Sequence, residues 1–309
     1  MAAKYVGRRL AQAVLVLWLA TTLAFAAMQL APGDPAQALL AASGATPAEV
    51  AARRAQLGLD DPLPMQYARF LADLARGNLG QSWLHGRPVG KMILEQLPPT
   101  VELAAAASIV AIVAGLALGV LASIRRGSWL DTAATAISVV SLSTPTYWSG
   151  LLAILLFSLH LHWLPATGEG DLRHLALPAL VLGFALSGSI ARLVRARVAE
   201  VLAEPFVLAA RARGLPTWRV LSAHVLRAAL APALTVVALQ FGFLLGGAVV
   251  TESVFARAGL GKLAVQAILW RDLPVVRGVV VFAALAYVLV NLVADLAQVW
   301  LEPRLREEA

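Results

Sequence analysis

The chain consists of long apolar runs separated by shorter polar connections. A helix needs about 20 apolar residues to cross a bilayer core about 30 Å thick. Six runs meet or approach that length, and they predict membrane-spanning helices at residues 10–31, 103–124, 134–158, 175–191, 228–251 and 278–294. Pro145 lies inside the third run and predicts a kink there, because proline has no N–H to donate. The pattern therefore predicts an all-α, polytopic membrane protein with six transmembrane helices.

The composition supports a membrane protein and excludes several soluble classes. Of the 309 residues, 60% are hydrophobic and 14% are charged, whereas roughly 25% of a typical soluble domain is charged. The chain has no cysteine, which excludes disulfides and thiolate chemistry. Its net charge is +7, but the arginines lie at the ends of apolar runs, where positive charge holds a segment on the cytoplasmic side. We therefore expect contact with membrane lipid and no nucleic acid partner.

The distribution of lysine and arginine predicts the orientation of the chain. These residues are concentrated at the amino terminus, in residues 125–131 and 192–227, and in the carboxyl-terminal tail. The positive-inside rule then predicts that both termini are cytoplasmic and that residues 32–100 form a periplasmic insertion. The amino terminus also resembles a secretory signal, but its apolar run is longer than that of a usual signal, so we favour an uncleaved helix. Residues 1–309 thus form a single transmembrane domain.

The insertion at residues 32–100 has the signals of folded helices. Thr46 and Glu49 form a capping-box pattern with Pro47 at the first helical position, and Gly58 can end that helix. A second helix is predicted from residue 64 to residue 76, followed by Gly77. Such an insertion either packs on the membrane domain or contacts a soluble partner, and we favour packing.

The longest connection on the predicted cytoplasmic side, residues 192–229, contains a short helix. Glu204 is placed to cap it, Pro205 to begin it, and Gly214 followed by Pro216 to end it. Thr217 offers a cap for a second helix over residues 218–229. A short helix with small residues and arginines suits a groove on a partner protein. On physical grounds alone, an interfacial helix anchored by positive charge is slightly favoured.

The same loop resembles the signature loop of binding-protein-dependent ABC importer permeases. Ala209-Ala210, Gly214 and the segment His224-Val225-Leu226-Arg227 carry the resemblance, and residues 204–215 are similar to the dipeptide/oligopeptide branch, in particular its B-type permease. Further similarities extend it over nearly the whole chain, at residues 8–10, 30–35, 57–63, 240–252, 259–261 and 302–306. The sequence departs from the general signature at one position, where Leu208 replaces a glutamate that the peptide branch commonly lacks. Which residue makes the usual polar contact stays open, with Arg211 and Arg213 as candidates.

The resemblance implies a type I ABC importer permease in a bacterial or archaeal inner membrane. The loop would form a coupling helix seated in a cleft of an ATPase subunit, with Ala209, Ala210 and Gly214 allowing a close approach. The site residues that it implies are Glu204, Pro205, Phe206, Ala209, Ala210, Arg211, Arg213, Gly214, Leu215 and His224. The implied partners are a second, homologous permease subunit in a heterodimer, two ATPase subunits that bind ATP and Mg, and an extracytoplasmic substrate-binding protein. The implied substrates are peptides or related small solutes, while the substrate-binding residues are unknown.

The residues themselves indicate no catalytic, cofactor or metal site in this chain. The nearest approach to a phosphate-binding loop, Gly259 to Lys262, has Ala256 in place of the first glycine, so ATP hydrolysis is expected in partner subunits. An ion-coupled secondary carrier that uses Asp295 or Glu252 is the alternative, because carriers place ionisable groups near their spans. His160 and His162 are too few for a zinc site, which usually has at least three protein ligands.

Two pairs of glycines are spaced one helical turn apart. Gly115 and Gly119 form one pair, and Gly242 and Gly246 form the other. Small residues at this spacing let the backbones of two membrane helices approach closely. They predict two tight helix–helix contacts.

Overall fold

A computed structural model describes residues 2–30, 33–40, 44–245 and 248–301. Over these residues the regular secondary structure is helical, apart from an isolated bridge between Gln81 and Pro88. The helices are α1 (Ala2–Leu30), α2 (Pro35–Leu40), α3 (Pro47–Gln56), α4 (Leu63–Ala75), α5 (Val89–Ile124), α6 (Trp129–Ser143), α7 (Thr146–Ala153), α8 (Leu172–Leu202), α9 (Pro205–Ala212), α10 (Thr217–Arg219), α11 (Leu226–Leu245), α12 (Val249–Val254), α13 (Leu260–Leu269) and α14 (Leu273–Leu301). Two π-helical segments extend this set, Ile154–His160 after α7 and Val220–Val225 between α10 and α11. The all-α fold class is confirmed.

The longest helices, α5 and α8, run in the same direction. An ideal Cβ on Gly115 would lie 2.7 Å from Cβ of Ile190, and one on Gly119 would lie 2.8 Å from Cβ of Val194. Residues later in α5 therefore contact residues later in α8, as they do when two helices are parallel. The first turns of α14 lie beside the first turn of α5, since Gly278 adjoins Val89. All three helices therefore begin at the end of the bundle that carries residues 33–88. We call this the insertion end, and the opposite end, which carries residues 203–216, the loop end.

Three helices are long and apolar enough to cross a membrane: α5, α8 and the Leu273–Val293 part of α14. A fourth crossing is formed if α6 and the helix from Thr146 to His160 are taken as one bent span. The described parts of α1 and α11 contain shorter apolar stretches, Ala11–Ala27 and Val236–Leu245. The polytopic fold is thus confirmed, while the count of six spans stays a prediction.

The predicted third span is wrong as a single kinked helix. Helix α6 ends at Ser143, a new helix begins at Thr146, and the two are bent by 104°. Thr144 between them is extended, with φ −81° and ψ 123°. The physical reason is that the Pro145 ring disfavours the α conformation for the residue before it, so the helix ends rather than bends.

The predicted contact at Gly115 and Gly119 is confirmed, and it forms the core of the α5–α8 pair. Both glycines are buried against α8. The second predicted contact is looser: an ideal Cβ on Gly242 would lie 3.3 Å from Cδ2 of Tyr287 on α14. Gly246, its partner in the sequence pattern, lies outside the described residues.

Replacing Gly119 with valine should force α5 away from α8. A Cβ at this position would lie 2.7 Å from the carbonyl oxygen of Ala191, which is backbone and has little freedom to move. Overpacking of this kind costs about 1–3 kcal/mol, so we expect a lower unfolding temperature for the purified protein. Gly90→Val in the same helix is the matched control, since no atom lies within 4 Å of its Cβ. Equal unfolding temperatures for the two variants would contradict this packing.

The insertion is folded and packs on the membrane helices, as predicted. Helix α3 begins with the predicted capping box, α4 ends before Gly77, and Gly58 and Gly77 both have positive φ. Helix α4 contacts α1: the Tyr67 hydroxyl lies 2.6 Å from the Thr22 hydroxyl, and the rings of Tyr67 and Phe25 are 5.2 Å apart. These contacts fix the insertion over one side of the bundle.

Acid should loosen the start of α3. The Glu49 carboxylate accepts hydrogen bonds from the Thr46 N–H (2.7 Å) and the Thr46 hydroxyl (2.9 Å), and these bonds lower the pKa of Glu49 below its ordinary value. A lowered pKa means that the stabilisation is present above the unfolded-state pKa, near 4.5, and is lost as the pH falls below it. We expect amide hydrogen exchange at Glu49 and Val50 to rise below that pH relative to exchange in α4, which has no acidic residue in its first turn. A constant ratio would contradict the capping role.

Candidate coupling site

The candidate site is α9, whose two ends are set by local chemistry. Glu204 occupies the predicted cap position with an extended backbone, although its side chain makes no capping hydrogen bond. Pro205 is the first helical residue, which suits a position that needs no N–H donor. At the other end Gly214 has φ +78°, its N–H donates to the Arg211 carbonyl (2.9 Å), and the Leu215 N–H donates to the Ala210 carbonyl (3.3 Å). This is the Schellman arrangement, in which glycine takes the left-handed position.

One face of α9 is buried within the chain itself. Val207 is fully buried and Ala210 is 9% exposed. They pack in a cluster with residues of α5, α8, the second π-helical segment and α11: Ala111, Ile190, Val194, Val198, Val220, Val225 and Ala229. Leu215 packs against the edge of the same cluster. Helix α9 is therefore packed on the loop end of the bundle, and its main contact is with the second π-helical segment.

The other face of α9 is exposed and largely apolar. Phe206 is 46% exposed and Leu208 is 61% exposed, and Ala209, which follows Leu208, is also exposed. Arg211 and Arg213 are also exposed, so positive charge borders the apolar residues. We call Phe206, Leu208 and Ala209 the exposed face of α9. An apolar surface at the end of a bundle, bordered by charge, is typical of a protein contact.

Two of the predicted contact residues, Ala210 and Gly214, have a role within the chain itself. Ala210 faces its own bundle, because residues three apart on a helix share a face and Val207 is buried. Gly214 is exposed, and its backbone conformation favours glycine; the close approach of a partner at this position stays a prediction. Leu208, which replaces the glutamate of the general signature, lies on the exposed face. The side chain of His224 lies outside the described residues.

An ion pair that the sequence did not predict stabilises the loop end. Arg195 of α8 donates from Nε (2.9 Å) and Nη2 (3.1 Å) to the two carboxylate oxygens of Asp131, at the start of α6. The Asp131 carboxylate also accepts the Gly127 N–H (3.0 Å), and the Ser123 hydroxyl donates to the Arg195 carbonyl (3.1 Å). The two residues are 64 positions apart, and only their location at the ends of apolar runs hinted at a contact. The bidentate geometry holds α5, α6 and α8 together at the loop end.

Glu252, the candidate carboxylate of an ion-coupled carrier, has a structural task. It is fully buried, and it accepts the Thr100 hydroxyl (2.9 Å) and the Lys262 N–H (3.0 Å) at the start of α13. The segment from Gly259 to Lys262 that resembles a phosphate loop is thus occupied by this carboxylate. The side chain of Asp295 lies outside the described residues. Within the described residues, no group of three or more His, Cys, Asp or Glu side chains is placed to hold a metal ion.

Comparison with known proteins agrees with this geometry. Residues 115–307 match the family described as the inner membrane component of binding-protein-dependent transport systems, and residues 2–104 match the amino-terminal region of the same membrane component. The chain belongs to this family. The permease is therefore the inner membrane component of a transport system, and the prediction of a transport subunit without its own ATPase site is confirmed by this membership. The ion-coupled carrier finds no support.

Relatives cover nearly the whole permease. A Brucella abortus protein named as a peptide transport system permease is 40% identical over 307 residues, which cover 97% of this chain and 98% of the relative. An Escherichia coli protein named as a D,D-dipeptide transport system permease is 40% identical, with 94% of each chain covered. The glutathione transport system permease of Salmonella paratyphi A is 38% identical, with 98% of each chain covered.

The fold is shared with a solved ABC transporter. The inward-facing MetNI methionine ABC transporter aligns with a TM-score of 0.57 and 21% identity, and the alignment covers 68% of the permease and 96% of that chain. At this identity the likeness concerns the fold alone. It confirms the predicted type I importer architecture.

Proposed function

We propose that this chain is the permease subunit of an ATP-driven importer of small peptides. It forms half of the translocation pathway, a second homologous permease forms the other half, and two ATPase subunits bind ATP and Mg. An extracytoplasmic binding protein delivers the substrate. The names of the relatives, which refer to peptides, a dipeptide and glutathione, support this substrate class.

The observation that carries the proposal is the two-sided character of α9. Its inner face packs into the bundle through Val207 and Ala210, while its exposed face offers Phe206, Leu208 and Ala209. A helix of this kind can transmit a displacement, because a partner can hold one face while the bundle holds the other. ATP would favour one of two rigid arrangements of the subunits, and the change between them would open the pathway to the other side of the membrane.

The charge distribution supports a cytoplasmic location for the loop end. Arg192, Arg197, Arg211, Arg213 and Arg219 all lie at this end. By the positive-inside rule, this distribution supports a location of α9 beside cytoplasmic ATPases, with the insertion at the opposite surface and both termini cytoplasmic.

Cysteine crosslinking tests the proposal directly, because the chain contains no cysteine of its own. Ala209→Cys, expressed with its partner subunits, should crosslink to an ATPase subunit in intact membranes. Ala210→Cys is the matched control, because the side chain at position 210 faces the bundle and a cysteine there should not crosslink to the ATPase. Equal yields from the two positions, or capture of no ATPase by Ala209→Cys, would contradict the proposal.

The orientation of the chain in the membrane is tested with single cysteines in the same cysteine-free sequence. Ala51→Cys in α3 should react with a membrane-impermeant maleimide added to spheroplasts, and Ala209→Cys should react only after the membrane is opened. The reverse order would overturn the proposed topology.

A further inference from the structure

Arg277 is an unusual cation in the second turn of α14. Its guanidinium carbon lies 4.7 Å from the centre of the Phe25 ring and 5.3 Å from the centre of the Phe70 ring. Its Nε is buried and has no hydrogen-bond partner. An ionisable residue within a membrane helix is costly to place, and it usually marks a functional site.

Within the described part of the chain, no carboxylate forms an ion pair with Arg277. The two aromatic rings stabilise the cation and fix its position, since each ring face attracts positive charge. They leave the charge itself uncompensated. A rigidly held guanidinium without a carboxylate is suited to bind one from outside.

Arg277 lines a cavity of about 220 Å³ at the insertion end. The cavity lies between α4, residues 78–83 and the start of α14. Several of its polar groups are already engaged: Arg69 pairs with Asp61, and the Gln66 amide donates to the Leu59 and Asp61 carbonyls. These contacts engage Nη1 of Arg69 and the amide nitrogen of Gln66, and they shape the wall of the cavity.

Two other lining side chains are free. The Asp73 carboxylate forms no hydrogen bond or ion pair with any described residue, and the Trp83 indole likewise has no described partner. The cavity therefore presents an uncompensated cation and an uncompensated anion together. This pair of charges is complementary to a molecule that carries both a carboxylate and an amine.

We propose that this cavity binds a zwitterionic peptide of about dipeptide size, with its carboxylate on Arg277 and its amine on Asp73. The size follows from the volume, which is below the range of about 300–1,000 Å³ found for drug-sized ligands. The inference rests on the proposed function, and it adds a second site for the same substrate class on the surface that faces the binding protein.

Calorimetric titration tests this site in the nucleotide-free complex of the full permease with its partner subunits in nanodiscs. The probe is L-alanyl-L-alanine, and two derivatives lack one charge each: the carboxyl-terminal amide and the N-acetyl peptide. We expect the free dipeptide to bind at least tenfold more tightly than either derivative. Equal affinities for all three would overturn the proposal.

Variants assign the two charges. Asp73→Asn should weaken binding of the free dipeptide about tenfold and leave binding of the N-acetyl peptide unchanged, because that peptide has no amine to lose. Arg277→Met should abolish the advantage of the free carboxylate. Arg76→Met, an exposed arginine of the insertion outside the cavity, is the matched control and should bind as the unaltered chain does. If Arg277→Met does not fold, the Asp73→Asn variant still tests whether the cavity binds the dipeptide.

The carboxylate could instead belong to a side chain of the extracytoplasmic binding protein. In that case the dipeptide would not bind, while Arg277→Met would lose association with the binding protein in a pull-down. That result would overturn the small-peptide site. Both experiments are independent of the Ala209→Cys crosslink. The dipeptide site can therefore be disproved while the proposed function stands.

Discussion

Replacing Ala209 with glutamate should abolish ATP-driven uptake while the permease remains folded and in the membrane. Ala209 is exposed, so the larger side chain meets nothing within the chain. On the exposed face of α9 it would place a charge in an apolar contact with the partner. Burying an unpaired charge there costs several kcal/mol, which exceeds what a typical contact residue contributes. Peptide uptake and co-purification of the ATPase, each normalised to the amount of permease in the membrane, measure the effect.

Ala196→Glu is the control for this change. Ala196 is also an exposed alanine near the loop end, but it lies on α8 and not on α9. We expect it to retain uptake and ATPase association. Normal uptake by a well-expressed Ala209→Glu permease would show that the exposed face of α9 makes no essential contact.

Replacing Glu252 with leucine should strongly destabilise the permease. The buried carboxylate accepts the Thr100 hydroxyl and the Lys262 N–H, and it lies near the buried guanidinium of Arg257. Without the carboxylate, the buried Thr100 hydroxyl and the Lys262 N–H lose their acceptor, and an unsatisfied buried donor costs about 1–3 kcal/mol. We expect a large fall in unfolding temperature and in the yield of folded protein in detergent.

Glu252→Gln separates the structural task from a carrier mechanism. Glutamine keeps an oxygen that can accept a hydrogen bond, so it should be less destabilising than leucine, and ATP-driven uptake by the folded fraction should survive. A carrier that moves protons through this carboxylate would lose uptake in the glutamine variant at normal stability. That outcome, or a leucine variant as stable as the unaltered chain, would contradict the role that we assign.

Features that depend on neighbours in sequence were predictable. The limits of α9 follow from Pro205 and Gly214, and the start of α3 follows from Thr46 and Glu49, because each involves residues within one or two turns. The contact at Gly115 and Gly119 was also predictable, since the spacing of small residues within one helix identifies a close-packing face. The sequence did not predict which helix packs against these two glycines.

Features that depend on distant partners could not be predicted. Periodicity could not decide which of two adjacent alanines, Ala209 or Ala210, faces the bundle, because the direction of α9 is set by the valines of α8 and the second π-helical segment. The role of Glu252 needed Thr100, which is 152 positions away in the chain. A helix break at Pro145 was compatible with the sequence, but a kink was equally compatible, and only the extended Thr144 distinguishes them.

The packing of α9 into the same buried cluster as the end of α8 has a mechanical consequence. Helix α8 has 31 residues, so at about 1.5 Å per residue it is a rod roughly 46 Å long. Val207 and Ala210 share one buried cluster with Val194 and Val198, so a displacement of α9 by a partner would be passed through this cluster to the rod. A tilt of about 5° would move its distant tip by about 4 Å. Leverage of this kind would convert a small displacement at the loop end into a larger one at the insertion end.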